Sequence, residues 1–476
     1  MSSYTTAVKL VANNEHTGGN LQDAHSQDIR PDWSFGLITG HRLRVVFYFL
    51  FLLIGFYALQ EWLWPTSMPP ATLFDRIWSR GDILWLAALP AGILSFIGLM
   101  AFRHPSDLDQ VQPMSTFVAW RIVSRGTNAE ALRATIERCR EEMRKTPLFP
   151  YIIEVITDEG NSVLNIEHDD VRLMQVPAGY ATSQGSLFKA RGLHYAMEYS
   201  PIPSNAWIVH LDEETRPTRS GVQGICKMIQ EEERSGRLRI GQGAIIYQRE
   251  WRKHPFLTLA DMGRTGDDYA RFYFQQMLGA TIFGLHGSFI VVRNDIEKSI
   301  GFDFGPEGSI TEDAWWALRA MEAGYRSRWV EGHLEEQSTQ SVMDLMRQRR
   351  RWFQGLIKVA LHTPVSWQWR IPLAINSVLW AITSFSMFYT VLRIFHGVAS
   401  DPWIQAPANI SLSLIIVIYL IGLRANLDAL GVHDKKERLW WLVLQLACIP
   451  VFSFIESAAI VWGLFSTPRG FHVVKK

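Results

Sequence analysis

Residues 207–217 read WIVHLDEETRP, an apolar run from Trp207 to Leu211 that ends in three consecutive acids, Asp212, Glu213 and Glu214. Such a run reads as a strand. In open α/β sheets ligands bind beyond the carboxyl ends of strands, so acids placed there sit where a substrate would be. Alternate residues of an extended strand end point the same way, which predicts that Asp212 and Glu214 approach one hard cation together. Mg2+ or Mn2+ at that point would bridge the oxygens of a diphosphate and neutralise the charge that grows when its bond to a sugar breaks. Taken alone, an acidic triplet after a strand is usually a solvated turn, so its weight depends on the rest of the chain.

Working outward, short apolar runs recur at Thr116 to Val123, Tyr151 to Ile156, Ala206 to Leu211 and Gly243 to Tyr247, with helix-like polar stretches between them. Strands alternating with helices predict a largely parallel α/β domain over residues 104–340. Long apolar runs flank it. Val45 to Trp64 and Ile83 to Phe102 each have close to the roughly 20 apolar residues needed to cross a bilayer, which makes residues 44–103 a transmembrane hairpin. Uncharged runs of that length are rare in soluble cores. Arg42 and Arg44 before the first span and Arg103 after the second put both hairpin ends in the cytosol.

Residues 366–476 hold further apolar stretches, Ile371 to Phe395, Ile410 to Leu423 and Leu439 to Phe465. The last contains Pro450, which allows a kink or re-entrant turn, and Glu456, a carboxylate that needs a partner at membrane depth. The number of crossings is left open. Residues 1–43 are polar and aperiodic, and are expected to form a mobile tail without a cleavable signal peptide.

The 476 residues carry a net charge of +1, and a mean hydropathy of +0.01 averages a charged middle with apolar ends. That balance gives no reason to expect nucleic-acid binding. Cys139, Cys226 and Cys448 are scattered without ligand spacing, so neither a disulfide framework nor a zinc site is suggested, and a reducing, cytosol-facing domain fits.

Two more clusters carry chemistry. Residues 308–313, GSITED, precede a helix-like stretch with an apolar face, which places Glu312 and Asp313 at its N-terminus. Acids there either cap the helix or, in a site, leave Asp313 to act as a general base that takes the proton of an attacking hydroxyl. Residues 342–361, VMDLMRQRRRWFQGLIKVAL, read as an amphipathic helix at the membrane interface, within an interface segment 341–365. Gln348, Arg351 and Trp352 stand at i, i+3 and i+4 and share one face, either towards anionic lipid or into a site. In a site, arginine suits a diphosphate leaving group and tryptophan an apolar wall.

Together, Asp158, the Asp212-Glu213-Glu214 cluster, Glu312-Asp313 and the pentad Gln348 to Trp352 resemble the D, DxD, (E/T)D and QxxRW series of membrane family-2 glycosyltransferases. Residues 189–196, KARGLHYA, resemble that family's lysine-containing helix. The likeness covers roughly residues 110–365 and implies a GT-A, Rossmann-like catalytic domain facing the cytosol between transmembrane helices. Within the family, IVHLDEET, EGSITED and QRRRWFQG look like the egghead group of β-1,4-mannosyltransferases. The resemblance implies inverting transfer of mannose from GDP-mannose to glucosylceramide, in the endoplasmic reticulum or Golgi membrane.

It also implies roles. Asp158 would hold the nucleoside, Lys189 the phosphates, and Asp212 with Glu214 the metal diphosphate. Asp313 would be the base, and Gln348, Arg351 and Trp352 the wall for leaving group and acceptor, with Glu312 on the acceptor side. Glu214 stands where an aspartate is commoner and keeps a carboxylate one methylene further out. Ser124 and Arg125, at the end of the first strand, correspond to a nucleobase site, although Arg125 also fits a surface residue. His286 and Gly287 resemble an acceptor-bordering loop, although a lone histidine is often structural. The C-terminal GFHVVKK resembles the gating segment of processive synthases, which requires an even number of spans after the catalytic domain where three apolar stretches are counted. A processive polysaccharide synthase using a UDP-sugar is the alternative, and a scaffold that lost catalysis a third reading.

Overall fold

The computed structural model describes residues 40–67, 70–105, 107–160, 168–249 and 251–466. The expected polar tail lies outside these residues apart from its last four, and GFHVVKK lies outside them entirely. The chain opens with α1 (Gly40–Leu63), continues through a short helix at Leu73–Trp78 and a 3-10 turn at Gly81–Ala88, and returns along α2 (Leu89–Ala101). Helix α1 is apolar nearly all round and leaves Phe47, Phe51, Ile54 and Trp62 exposed, as a lipid-facing helix does. The two ends of this hairpin are tied together, because Arg42 Nε donates to the Met100 carbonyl at 2.7 Å.

The catalytic-type domain follows: β1 (Val118–Val123), α3 (Ala129–Lys145), β2 (Tyr151–Asp158), β3 (Val171–Val176), α4 (Phe188–Tyr199), β4 (Trp207–Asp212) and α5 (Arg219–Ser235). It continues with β5 (Ile240–Arg249), α6 (Pro255–Asp267), β6 (Ile290–Arg293), α7 (Asn294–Ile300), α8 (Glu312–Glu322) and β7 (Ser327–Gln337). The strands form one sheet in the order β3-β2-β1-β4-β6-β5-β7. Only β6 runs against the rest, so the sheet is largely parallel as expected. Strand order reverses at β1, with Val123 paired to Asp212, and the ends of β1, β2 and β4 open side by side at this switch point.

One face of the sheet is covered by α3 and α5, through Leu132, Ile136, Val222 and Ile225 against Trp120 and Val209. Asn128 and Thr218 cap these helices by accepting from the backbone amides of Ala131 and Gly221. The other face packs Leu193, Ile296 and Trp316 against Ala119 and Ile208, and the same core takes in Val359 and Leu373 of the helices that follow. Within it a buried ionic cluster joins three strands. Arg121 pairs with Glu154 at 2.8 Å and with Glu297, which also holds His210 at 2.7 Å. Each charge is matched, the condition for tolerating charges in a core.

Helix α9 (Val342–His362) starts at Ser341, whose hydroxyl accepts from the Asp344 amide, and leads into α10 (Trp367–Phe395), α11 (Pro402–Ala429) and α12 (Lys435–Leu464). Among the described residues, five helical stretches are long and apolar enough to cross a membrane. Helices α10 and α11 run to the end of the bundle away from the sheet and back, meeting α1 and its loop there: Gln405 and Asn409 donate to Gln60, and His396 contacts Asp75. Helix α12 differs. Its Trp441 ring lies 4.4 Å from that of Trp251, Gln445 donates to the Leu259 carbonyl, Glu456 pairs with Arg349, and the Gly463 carbonyl accepts from Gln354. Both ends of α12 therefore lie against elements of the sheet side, and Gln354 also donates to the Ser466 carbonyl at 2.6 Å. The partner that Glu456 needs is Arg349.

Backbone-to-backbone contact welds the two halves. A Cβ on Gly266 of α6 would stand 1.9 Å from the Ile418 carbonyl, and one on Gly422 of α11 would stand 1.9 Å from the Met262 carbonyl. Only glycine permits that approach. Asn426 completes the joint, accepting from the Tyr247 amide at 2.7 Å and donating to Thr265 at 3.0 Å. Gly266→Val should therefore lower the thermal unfolding midpoint in detergent, with a cost of about 1–3 kcal/mol or more for overpacking. Gly179→Ala, at a position with nothing within 4 Å of the new methyl, should leave the midpoint unchanged; equal midpoints for both variants would refute the weld.

Candidate active site

Beyond the carboxyl ends of β1, β2 and β4 lies a cavity of about 1070 Å³. Its walls include Ser124, Arg125, Asp158, Lys189, Asp212 and Glu214 from the sheet side. His286, Gly287, Glu312, Asp313, Gln348, Arg351 and Trp352 face the same space. Every site residue expected from the sequence thus borders one cavity.

The centre is a cluster of opposite charges. Lys189, in the first turn of α4, reaches the Asp212 carboxylate at 2.5 Å, the Gly287 carbonyl at 2.8 Å and Glu312 at 3.5 Å. Gly287 is the point of closest approach: a Cβ there would meet Lys189 Nζ at 3.0 Å, Asp313 Oδ2 at 3.3 Å and Asp212 Oδ1 at 3.7 Å. A side chain at 287 would fill the space between the proposed base and the proposed metal acid. Asp313 divides its carboxylate. Oδ1 accepts from the Ala314 amide at 2.7 Å, the helix-end contact of a first-turn acid, while Oδ2 is on the Gly287 side. Burial, with the Glu312 carboxylate beside it, pushes the Asp313 carboxyl up to about 7, although Lys189 opposes the shift.

Helix α9 supplies the opposite wall. Burial lowers the basicity of Arg351, and the acids that counter this are Glu312, Asp212, Asp313 and Glu214, so its guanidinium faces the whole acidic cluster. The Trp352 ring is held between two guanidinium groups, Arg264 at 4.4 Å and Arg349 at 4.5 Å. Gln348 is buried and accepts from Arg349 at 3.0 Å. The basic residues of this helix engage protein: Arg347 pairs with Asp344, Lys358 with Glu307, and Arg350 lies over Trp462 at 4.2 Å. A helix that only grips anionic lipid would leave such groups at the surface.

One sequence expectation is corrected here. The chain leaves extended geometry at Asp212, where the Thr215 amide turns back to the Asp212 carbonyl at 3.0 Å, so strand alternation does not align Asp212 with Glu214. Glu213 instead accepts from the Ser124 hydroxyl, and Glu214 is buried in the cavity wall. Among the described residues no three His, Cys, Asp or Glu side chains cluster as a ready-made metal cage. Two carboxylates fit Mg2+ or Mn2+ all the same, since such an ion usually takes one or two protein acids and completes its shell with phosphate and water oxygens.

Asp158 receives Arg191 of α4 at 2.5 Å. His286 lies 3.3 Å from Asp268 and edge-on to Phe272, and burial, followed by the nearby Arg264 and Arg271, lowers its basicity to about 3, so it is a neutral ring. Sequence reasoning missed the contribution of residues 264–271. Arg264, Asp267 and Arg271 line the cavity, and Arg271 pairs with Asp267 at 2.6 Å and donates to Asn376 of α10 at 3.0 Å. The available signal was charge at i, i+3 and i+7, Arg264, Asp267 and Arg271, along one helical stretch.

A family model described as Glycosyl transferase family group 2 matches residues 207–427. The β-1,4-mannosyltransferase egh of Drosophila melanogaster is 30% identical over 402 residues, which cover 83% of this chain and 86% of that protein. The β-1,4-mannosyltransferase bre-3 of Caenorhabditis elegans is 30% identical over 406 residues, covering 82% and 86%. Among solved structures, the mannosyltransferase PcManGT from Pyrobaculum calidifontis, in complex with GDP-Man and Mn2+, superposes with a TM-score of 0.42 and 12% identity over 87% of this chain and 99% of that one.

If Asp313 accepts the proton, its carboxylate must be ionised, and a raised pKa means that it is lost as pH falls. The kcat/KM for transfer should therefore decline below about pH 7. Asp313→Asn should reduce kcat by at least about a hundredfold, the usual scale for a lost general base, while donor affinity measured by calorimetry is retained. Undiminished turnover in the purified variant would remove Asp313 from the role.

Proposed function

We propose, since this chain belongs to the β-1,4-mannosyltransferases of glycosyltransferase family 2, that it transfers mannose from GDP-mannose to glucosylceramide at the cytosolic face of an endomembrane. Mannosyl transfer follows from the family. The observation that carries the finer reading is the convergence of Lys189, Asp212, Glu312, Asp313 and Arg351 in one cavity that continues between membrane helices. A water-borne, multiply charged donor and a membrane-borne acceptor both have access to such a space.

In this reading Ser124, Arg125 and Asp158 receive the nucleoside at the ends of β1 and β2. Lys189 and Arg351 approach the diphosphate from opposite walls, and Asp212 with Glu214 hold the divalent cation. Bound there, Mg2+ or Mn2+ supplies charge neutralisation for the departing diphosphate. Asp313 Oδ2 takes the proton of the acceptor hydroxyl as its oxygen bonds to the anomeric carbon and the bond to phosphate breaks. One displacement inverts that carbon, and GDP leaves with the electron pair. The Glu312 carboxylate beside Asp313 favours uptake of the proton there. Trp352, fixed by its two flanking guanidinium groups, walls the sugar, and neutral His286 with Gly287 borders the acceptor.

Cytosolic orientation is supported by Arg42, Arg44 and Arg103 at the sheet-side ends of the first hairpin. Three free thiols, Cys139, Cys226 and Cys448, suit a reducing compartment.

Purified protein given labelled GDP-mannose or UDP-sugars with glucosylceramide in detergent should yield a lipid carrying one added mannose, from GDP-mannose only. A long polymer made from a UDP-sugar would overturn this reading in favour of a processive synthase. Chelation of divalent ions should abolish transfer and Mn2+ or Mg2+ should restore it. Asp212→Ala should lose metal-dependent donor binding; unchanged affinity by calorimetry would discard the metal role.

A further inference from the structure

The cavity does not stop at the charged cluster. It runs on into the membrane bundle, where the inner face of α10 lines it from Asn376 through Trp380, Thr383 and Met387 to Ile394, spaced by three or four residues at most steps. At 1.5 Å per residue that face is about 27 Å long, close to the thickness of a bilayer's hydrocarbon layer. The outer face of the same helix, with Ile375, Val378, Phe385 and Leu392, is exposed and suits lipid. Helix α10 is thus apolar on both sides, and its inner side faces a space that protein does not fill. Interiors are otherwise close-packed, so a void of this size with an apolar lining calls for an apolar occupant.

We propose that an aliphatic chain of the acceptor lipid occupies this inner slot while its sugar lies at Asp313. The inference rests on the glycolipid acceptor proposed above and deepens it, because the chain would be held inside the protein instead of in the surrounding leaflet. Three observations fix the occupant. The slot is continuous with the site, so one molecule must present a hydroxyl at one end and an apolar body at the other. The α10 hydroxyls in its wall are already committed to their own helix: Thr383 donates to the Leu379 carbonyl at 2.8 Å, Ser384 to Trp380 at 3.0 Å and Thr390 to Ser386 at 3.0 Å. Those donors are not on offer to a passing chain of sugars, which needs hydrogen bonds along its length. The distal end also carries a buried ion pair. Arg393 is buried there, paired with Asp82, donating to the Val398 carbonyl at 2.9 Å and stacked 4.0 Å from the Trp64 ring. An apolar slot with an immobilised ion pair at its far end suits a tail and not an extruded polymer.

The test is a glucosylceramide carrying a diazirine midway along its acyl chain, photolysed with the full-length enzyme in detergent and mapped by mass spectrometry. Adducts on inward residues such as Thr383, Met387, Leu412 or Ile415 are expected. Adducts confined to outward Val378, Phe385 or Leu392, or none at all, would overturn the slot. Labelling needs no turnover, so a wild-type enzyme that fails to mannosylate glucosylceramide would defeat the acceptor assignment while the adduct positions still judged the slot. In parallel, Thr383→Phe should raise the ratio of KM for glucosylceramide to KM for butyl glucoside about tenfold, since a four-carbon chain does not reach that depth. Phe385→Ala on the outer face should leave the ratio alone. A Thr383→Phe enzyme with an unchanged ratio counts against the proposal.

Discussion

The site depends on where Arg349 is held. Its guanidinium donates to Asp261 of α6 at 2.8 Å, reaches Glu456 of α12 at 3.4 Å and lies over the Trp352 ring, so one side chain locks α9 against two other helices. Without that lock, nothing in an amphipathic helix decides which of its basic residues turns towards the acids. With it, Gln348, Arg351 and Trp352 have a single orientation, opposite Asp212 and Asp313. Removing one partner of a buried pair costs about 3–5 kcal/mol, yet replacing the whole pair with apolar groups is often neutral. The value of the arrangement therefore lies in register more than in stability. It also explains why a carboxylate persists in the apolar run of α12.

A second constraint is electrostatic. Asp212, Glu214, Glu312 and Asp313 border one cavity, and burial, with the Glu312 and Asp212 carboxylates nearby and Lys189 opposing them, pushes the Asp313 carboxyl up to about 7. Like charges held together disfavour ionisation, and an incoming cation relieves that penalty. A divalent ion with a diphosphate would occupy the space where Lys189 now serves as the positive partner. In the proposed reaction, donor binding and activation of the base are thereby linked through one field and need no moving part.

Much of this was legible in the chain. The period of the apolar runs identified a largely parallel sheet, and the separated polar clusters marked the strand ends and helix starts that border the cavity. Less readable features share a physical cause: each depends on a contact between segments far apart in sequence. The length of Lys435–Leu464 satisfies a span, and only contacts with Trp251, Leu259, Arg349 and Gln354 show that both of its ends stay on the catalytic side. Strand alternation was applied two residues too far, to Glu214, because the turn closed by Thr215 begins immediately after Asp212. Arg121, Glu154, His210 and Glu297 read singly as ordinary strand and helix residues, and only the sheet shows that they neutralise one another beneath the site.

The glycine contacts between α6 and α11 carry the argument one step further. Where two backbones touch, the helices cannot slide without losing the contact, so the sheet domain is not a separate unit tethered to a membrane anchor. Helix α6 supplies Arg264 to the site at one turn and glycines to the membrane joint at the next. The membrane bundle is then part of the active-site wall, and Arg271 bridging to Asn376 of α10 extends that wall into the hydrocarbon layer. In the proposed reaction, a site built this way would receive its two substrates from different phases, the charged donor over the strand ends and the acceptor from the apolar side of the cavity. Water as a competing acceptor is disfavoured on the membrane side of Asp313, because the apolar lining gives it few partners there.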